Sequence, residues 1–170
     1  MSYSQFVDAY LINSTDQETG ETMQHVCEHG ALIGQDGTPW AASPGFSLDT
    51  YDAVVDQGDG TSSSARIDEF AALVEAYQNR GATTRPGGIR LHREKYFPIS
   101  YIATENGGLL CLRKRNGGAC VAKSNQAYII GTFSAGLKIR DMGGREVPQN
   151  PGATSLACNT LMDLLVSSAL

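Results

Sequence analysis

The 170-residue chain is predicted to fold as an α+β domain, a central antiparallel β-sheet of about seven strands with helices packed on its faces. Two patterns carry this. Between residues 89 and 133, short strand-like runs follow one another across Gly- and Asn-rich turns, and consecutive hairpins make a sheet antiparallel. Apolar stripes at helical spacing open and close the chain. The composition agrees: apolar residues make up 41% and charged residues 18%, the balance of a globular protein long enough to bury one core.

The elements follow in order. Ser2 with Gln5 makes a capping box, so a helix starts at Tyr3, with Tyr3, Phe6, Val7, Tyr10 and Leu11 on one face. Residues 13–28 are polar and read as a loop. Ala31 to Ile33 and Thr38 to Ala42 read as two strands joined at Asp36-Gly37, with Trp40, the only tryptophan, on the return strand. Leu48 to Val55 has Leu48, Tyr51, Val54 and Val55 at helical spacing and is expected to carry a short helix. The Gly-Asp-Gly-Thr-Ser-Ser-Ser run to residue 64 reads as a flexible linker. Ile67 to Gln78 is a helix with Ile67, Phe70, Ala71, Val74 and Tyr77 as its apolar stripe.

Gly81 to Gly88 breaks that helix. Strands are predicted at 89–92 and 95–103, with Pro98 implying an edge or a bulge. Further strands at 109–115, 119–123 and 126–133 are separated by Asn106-Gly107-Gly108, Asn116-Gly117-Gly118 and Ser124-Asn125. Residues 135–149 read as a long polar loop. Asn150 caps a last helix, Pro151 occupies its first turn, and Ala153, Ala157, Leu161, Leu164 and Leu165 face inward.

Charge is unevenly placed. Residues 1–65 contain ten acids and no Lys or Arg, whereas residues 66–170 contain all 13 basic residues against eight acids. A net charge of −5 argues against nucleic acid as a partner, and the basic half suits an acidic protein surface. No apolar run approaches a membrane span, and the N-terminus has no basic region followed by an apolar one, so no signal peptide is expected. Cys27, Cys111, Cys120 and Cys158 are scattered, which favours reduced thiols in the cytosol.

The hairpin Ala31-Leu-Ile-Gly-Gln-Asp-Gly-Thr-Pro-Trp-Ala-Ala-Ser43 resembles that of profilin, the small actin-monomer-binding protein. The aromatic spacing of Ser2-Tyr3-Ser4-Gln5-Phe6 agrees with the family's N-terminus. Gly88-Ile89-Arg90-Leu91 with Lys95-Tyr96 looks like its third and fourth strands, Leu112 to Gly118 like its basic fifth-strand hairpin, and Gly152 to Leu170 like its closing helix. The chain thus resembles a divergent, protist-type profilin, one domain over residues 1–170. Residues 47–64, an acidic stretch, and residues 134–149 stand out as insertions. The resemblance implies that the N- and C-terminal helices pack together on one sheet face, with one or two helices on the other.

It also implies three sites. A groove for proline-rich partners, such as formin-type assembly factors, would use Tyr3, Phe6 and Trp40, with Leu164 and Leu170 where relatives often have aromatics or histidine. Flat aromatics and an indole N–H suit a polyproline II ligand, which is preformed and exposes its carbonyls. Fewer rings imply weakened or altered binding. An actin face would use Lys95, Arg113, Lys114, Lys123, Gly152, Ser155 and Asn159, although Leu112 replaces a common arginine. A phosphoinositide site would use Arg113, Lys114, Arg115 and Lys123.

The implied function is a cytoplasmic, cytoskeleton-associated regulator of actin polymerisation, with no cofactor. The alternatives are a phosphoinositide or small-molecule sensor domain on a similar sheet, or a small hydrolase using Cys27 or Cys120. No acid–base or nucleophile constellation favours an enzyme. On a strand, His25, Cys27 and His29 would share a face, yet they lack a second pair at zinc spacing.

Overall fold

The computed structural model describes residues 2–170. The chain opens with helix α1 (Tyr3–Val7), whose Ser2–Gln5 capping box is formed on both sides. A wide π turn continues it over Asp8–Ile12, so the single predicted helix is α for its first half only. Next come β1 (Ser14–Thr15), β2 (Thr22–Met23), β3 (His29–Gly34), β4 (Pro39–Ala42), β5 (Thr50–Asp56) and β6 (Ser62–Asp68). Helix α2 (Glu69–Gln78) is followed by β7 (Ile89–Leu91), β8 (Glu94–Thr104), β9 (Gly107–Lys114), β10 (Gly117–Lys123) and β11 (Ala127–Ser134). The chain ends with β12 (Lys138–Arg140), β13 (Glu146–Pro148) and α3 (Pro151–Ser167), capped by Asn150 with Pro151 in its first turn.

The main sheet has seven strands in the order β4-β3-β11-β10-β9-β8-β7. All its pairings are antiparallel, and β8 bulges between Pro98 and Ser100, where proline interrupts the ladder. On one face, α1, its π turn and α3 close over Leu32, Leu109, Cys120, Ala122 and Ile129. Gly30 makes room for this, because a Cβ there would meet Leu11 at 2.9 Å and Val7 at 3.2 Å. On the other face, α2 covers Ile33, Leu110, Leu112, Val121, Tyr128 and Ile130 with Leu73, Ala76 and Tyr77.

Three expectations are corrected. The segment predicted as a helix at 48–55 is strand β5, paired in register with β6, and the predicted linker supplies β6 and the turn. Val54 is 71% exposed while Val55 is buried, so the apolar run alternates across a hairpin instead of lining a helix. The loops at 13–28 and 135–149 each contain a small two-stranded hairpin, β1–β2 and β12–β13, tied together through Gln24 and Arg140. Finally, α3 also buries Thr154 and Met162, which the predicted inner stripe lacked.

Candidate functional site

Two surfaces concentrate the expected residues. The first is a notch beside the chain ends. Helix α1 crosses the edge strand β4, bringing the Tyr3 ring to 4.7 Å from the Trp40 ring, tilted by 31°. Trp40 lies flat against the hairpin because Gly34 lacks a side chain: a Cβ there would stand 2.8 Å from the indole Nε1. One turn further, Phe6 and Tyr10 meet at 6.2 Å. Leu164 and Leu170 pack half-buried against the core layer on which these rings also rest. The chain end is secured: the Asn125 N–H donates to the Leu170 carbonyl at 2.8 Å, and the Leu170 N–H donates to the Leu165 carbonyl at 2.9 Å. Tyr3 meets Trp40 directly, and Phe6, Leu164 and Leu170 are likewise half-buried against the core layer beneath the terminal helices.

The second surface lies at the opposite end of the same face, where β8 and β9 run beyond α3. Cross-strand partners share a face, and Leu109 and Cys111 point toward α3 while Leu110 and Leu112 point toward α2. Arg113, opposite Phe97, therefore shares the α3 face. The Lys95 ammonium stands 5.5 Å from the centre of the Phe97 ring. Ser155 on α3 approaches Cys111 at 3.8 Å between hydroxyl and sulfur, and Gly152 is exposed in the first turn of α3. Asn159 donates to Asp163 at 3.4 Å, and Asn106 of the β8–β9 turn donates to the same carboxylate at 2.8 Å.

Two cations of the expected actin set do not join this patch. Lys114 alternates to the α2 face, pairs with Glu94 at 3.0 Å and lies over the Tyr96 ring. Burial by itself pulls its ammonium down, but the Glu94 hydrogen bond and Tyr96 outweigh that and leave it above the usual lysine range. Lys123 lies over Tyr128, also on the α2 face. The four cations expected at a phosphoinositide headgroup diverge for the same reason, with Arg113 on one face, Lys114 and Lys123 on the other, and Arg115 in the turn.

Sequence reasoning missed the apolar part of this surface. Phe97, Ile99 and Ile102 of β8 are 50%, 59% and 48% exposed, a cluster of large apolar side chains in water. The signal was present in Phe97-Pro-Ile-Ser-Tyr-Ile102, but the bulge at Pro98 hid which of these residues faces solvent. The His25, Cys27 and His29 triplet does not share a face. His25 is exposed with φ at +57°, Cys27 is buried beside Thr154, and the strand begins only at His29. Burial pushes the Cys27 thiol up to about 12, which makes it a poor nucleophile. Among the described residues, no group of three or more His, Cys, Asp or Glu is placed to hold a metal ion, and no helix is long and apolar enough to cross a membrane.

Comparison with known proteins decides the family. The profilin family model matches residues 1–170. A profilin of Tetrahymena pyriformis is 35% identical over 142 residues, covering 82% of this chain and 87% of the relative. The chain belongs to the profilin family. Solved profilins share the fold at lower identity. Acanthamoeba castellanii profilin II aligns with a TM-score of 0.61 and 21% identity, covering 99% of this chain and all of that one. Schizosaccharomyces pombe profilin aligns with a TM-score of 0.57 and 18% identity over 99% of this chain and all of that one. The profilin arrangement of terminal helices together on one sheet face is thus the one found here.

Proposed function

We propose that this profilin-family protein binds an actin monomer on the outer β8–β9 surface and a proline-rich segment in the notch formed by Tyr3, Phe6, Trp40, Leu164 and Leu170. It would deliver actin to proline-rich assembly factors of the formin type in the cytoplasm. Its action is binding and not catalysis. The observation that carries the reading is the Tyr3–Trp40 pair at 4.7 Å, flanked by both chain ends. Its rings offer the flat apolar walls that a polyproline II helix requires. The actin surface is proposed as Lys95, Phe97, Ile102 and Arg113 with Gly152, Ser155 and Asn159. It combines an apolar centre with basic side chains, which favour encounter with an acidic partner. Lys114 is assigned to its pair with Glu94 instead. Phosphoinositide binding stays in the proposal only through Arg113 and Arg115.

The two surfaces are separate, so both ligands bind at once. Immobilised polyproline should retain the protein and, through it, monomeric actin. Exchanging Phe97 and Ile102 for serine should release actin and leave polyproline retention intact. Loss of both ligands together in a folded double variant, or actin retained in full, would sink the placement.

A further inference from the structure

We propose that Cys111 and Cys120 form an oxidisable dithiol, which hydrogen peroxide converts to a disulfide across the middle of the main sheet. The four cysteines, far apart in sequence, are free thiols gathered in one layer between α3 and the sheet. The Cys27 and Cys158 sulfurs lie 3.1 and 3.0 Å from where a Cβ on Gly131 would stand. Gly131 is the β11 partner of Cys120, and Cys111 is its β9 partner. Cys158 donates to the Cys120 carbonyl at 3.6 Å.

Pairing geometry selects Cys111 and Cys120. The Ser124 N–H donates to the Ala127 carbonyl at 2.8 Å, and hydrogen-bonded pairs alternate with the other kind from there. Ala122–Ile129 and Cys120–Gly131 are then hydrogen-bonded pairs. The backbone polar groups of Cys120 point to β11, so it faces Cys111 as a non-hydrogen-bonded pair. Residues in such pairs stand about 4.5 Å apart at Cα. A disulfide accepts roughly 4.4–6.8 Å, so the bridge needs no movement of the strands.

Access sets the order of steps. Cys111 is half-buried beside Ser155, while Cys27, Cys120 and Cys158 are buried. Cys111 as thiolate attacks the peroxide oxygen, the O–O bond breaks, and water leaves with the proton, giving a sulfenic acid. The Cys120 sulfur then attacks the Cys111 sulfur, its proton leaves with the hydroxide as a second water, and the S–S bond forms. Two thiols are oxidised by two electrons and one peroxide is reduced.

The contact with Cys120 and burial hold the Cys111 thiol well above the usual range, so the reactive thiolate is scarce at neutral pH. Thiols of that kind are also poor leaving groups, so exchange with external thiols is slow. The pair behaves as a latch that closes under sustained oxidant and reopens slowly.

The test is a time course with hydrogen peroxide, followed by digestion without reductant and mass spectrometry. The expected product is two hydrogens lighter, contains a Cys111–Cys120 linked peptide, and shows two titratable thiols in denaturant where the untreated protein shows four. Its formation should accelerate as pH rises. Cys111→Ser should abolish the link and Cys27→Ser should preserve it. The wild-type peptide map decides by itself if either variant fails to fold. A link between Cys120 and Cys158, over-oxidation of Cys111 without any link, or four titratable thiols after prolonged alkaline treatment would each overturn the proposal.

Discussion

At the scale of single residues, the proposed proline-binding notch presents few rings. Tyr3 and Trp40 supply one tilted pair, and Phe6 and Tyr10 a second. Leu164 contributes apolar area but no flat face. Aromatic pairs add about 0.5–1.5 kcal/mol beyond the area they bury, a factor of about two to twelve in affinity. Leu164→Tyr is therefore expected to tighten decaproline binding by that factor, and Trp40→Ala to abolish the change in tryptophan fluorescence and most of the binding. Titration followed by calorimetry would check both, and an unchanged Leu164→Tyr affinity would mean that the ligand does not reach α3.

At the scale of elements, the acidic hairpin β5–β6 buries Val55 and Ile67 and is tied at its base by one buried carboxylate. Glu69, fully buried at the start of α2, accepts from the Asp49 N–H at 2.8 Å, the Tyr51 hydroxyl at 2.8 Å and the Arg93 N–H at 2.7 Å. Arg93 closes the same knot from outside, 4.2 Å from the Tyr51 ring centre and 3.2 Å from Asp49. The β7–β8 turn needs this support, since His92 and Arg93 both adopt left-handed backbone, with φ of +49° and +68°, where side chains other than glycine are strained. Glu69→Ala would take the shared acceptor from three part-buried donors and is expected to cost about 1–3 kcal/mol of unfolding free energy. Urea unfolding would measure it, and hydrogen exchange should show the β5–β6 amides opening before those of the main sheet. Equal protection in the variant and the parent would mean that the hairpin is held by other contacts.

At the scale of the whole molecule, stability should depend on pH through His29. Its ring stacks on Phe46 at 5.4 Å, and its Nδ1 is buried with no hydrogen-bond partner among the described residues. Burial lowers its pKa below the ordinary 6.5, and Glu28 at 3.7 Å offsets this only in part. The unfolded chain therefore binds a proton that the folded one resists. The contribution is complete above pH 6.5 and is lost as pH falls from there through the folded value. Denaturant unfolding at pH 7.5 and 5.5 is expected to show lower stability at the acid end, and His29→Gln should flatten the difference. An undiminished difference in that variant would place the proton elsewhere.

Much of this molecule was legible in the residues because the signals were local. The capping box placed the start of α1, and hydrophobic period, Asn-Gly turns and the Asn150-Pro151 start placed α3 and the strands from β7 to β11, since each depends on neighbours within a few positions. Helix α2 was placed too, but it starts at Glu69, with Ile67 in β6, and it buries Ala72, Leu73, Ala76 and Tyr77, of which the predicted stripe held only Tyr77. The approach of Tyr3 to Trp40 was anticipated too, through the resemblance to profilin and not through spacing, which marked only the first helix. The segment at 48–55 failed because apolar residues three and four apart can also alternate along a strand. Only pairing with residues 62–68 chose between the two. The divergence of Arg113 from Lys114 and Lys123, the exposed row on β8 and the gathering of four thiols depend on register, bulge and the packing of α3. Those contacts join residues distant along the chain, and their energies exist only once the sheet has assembled.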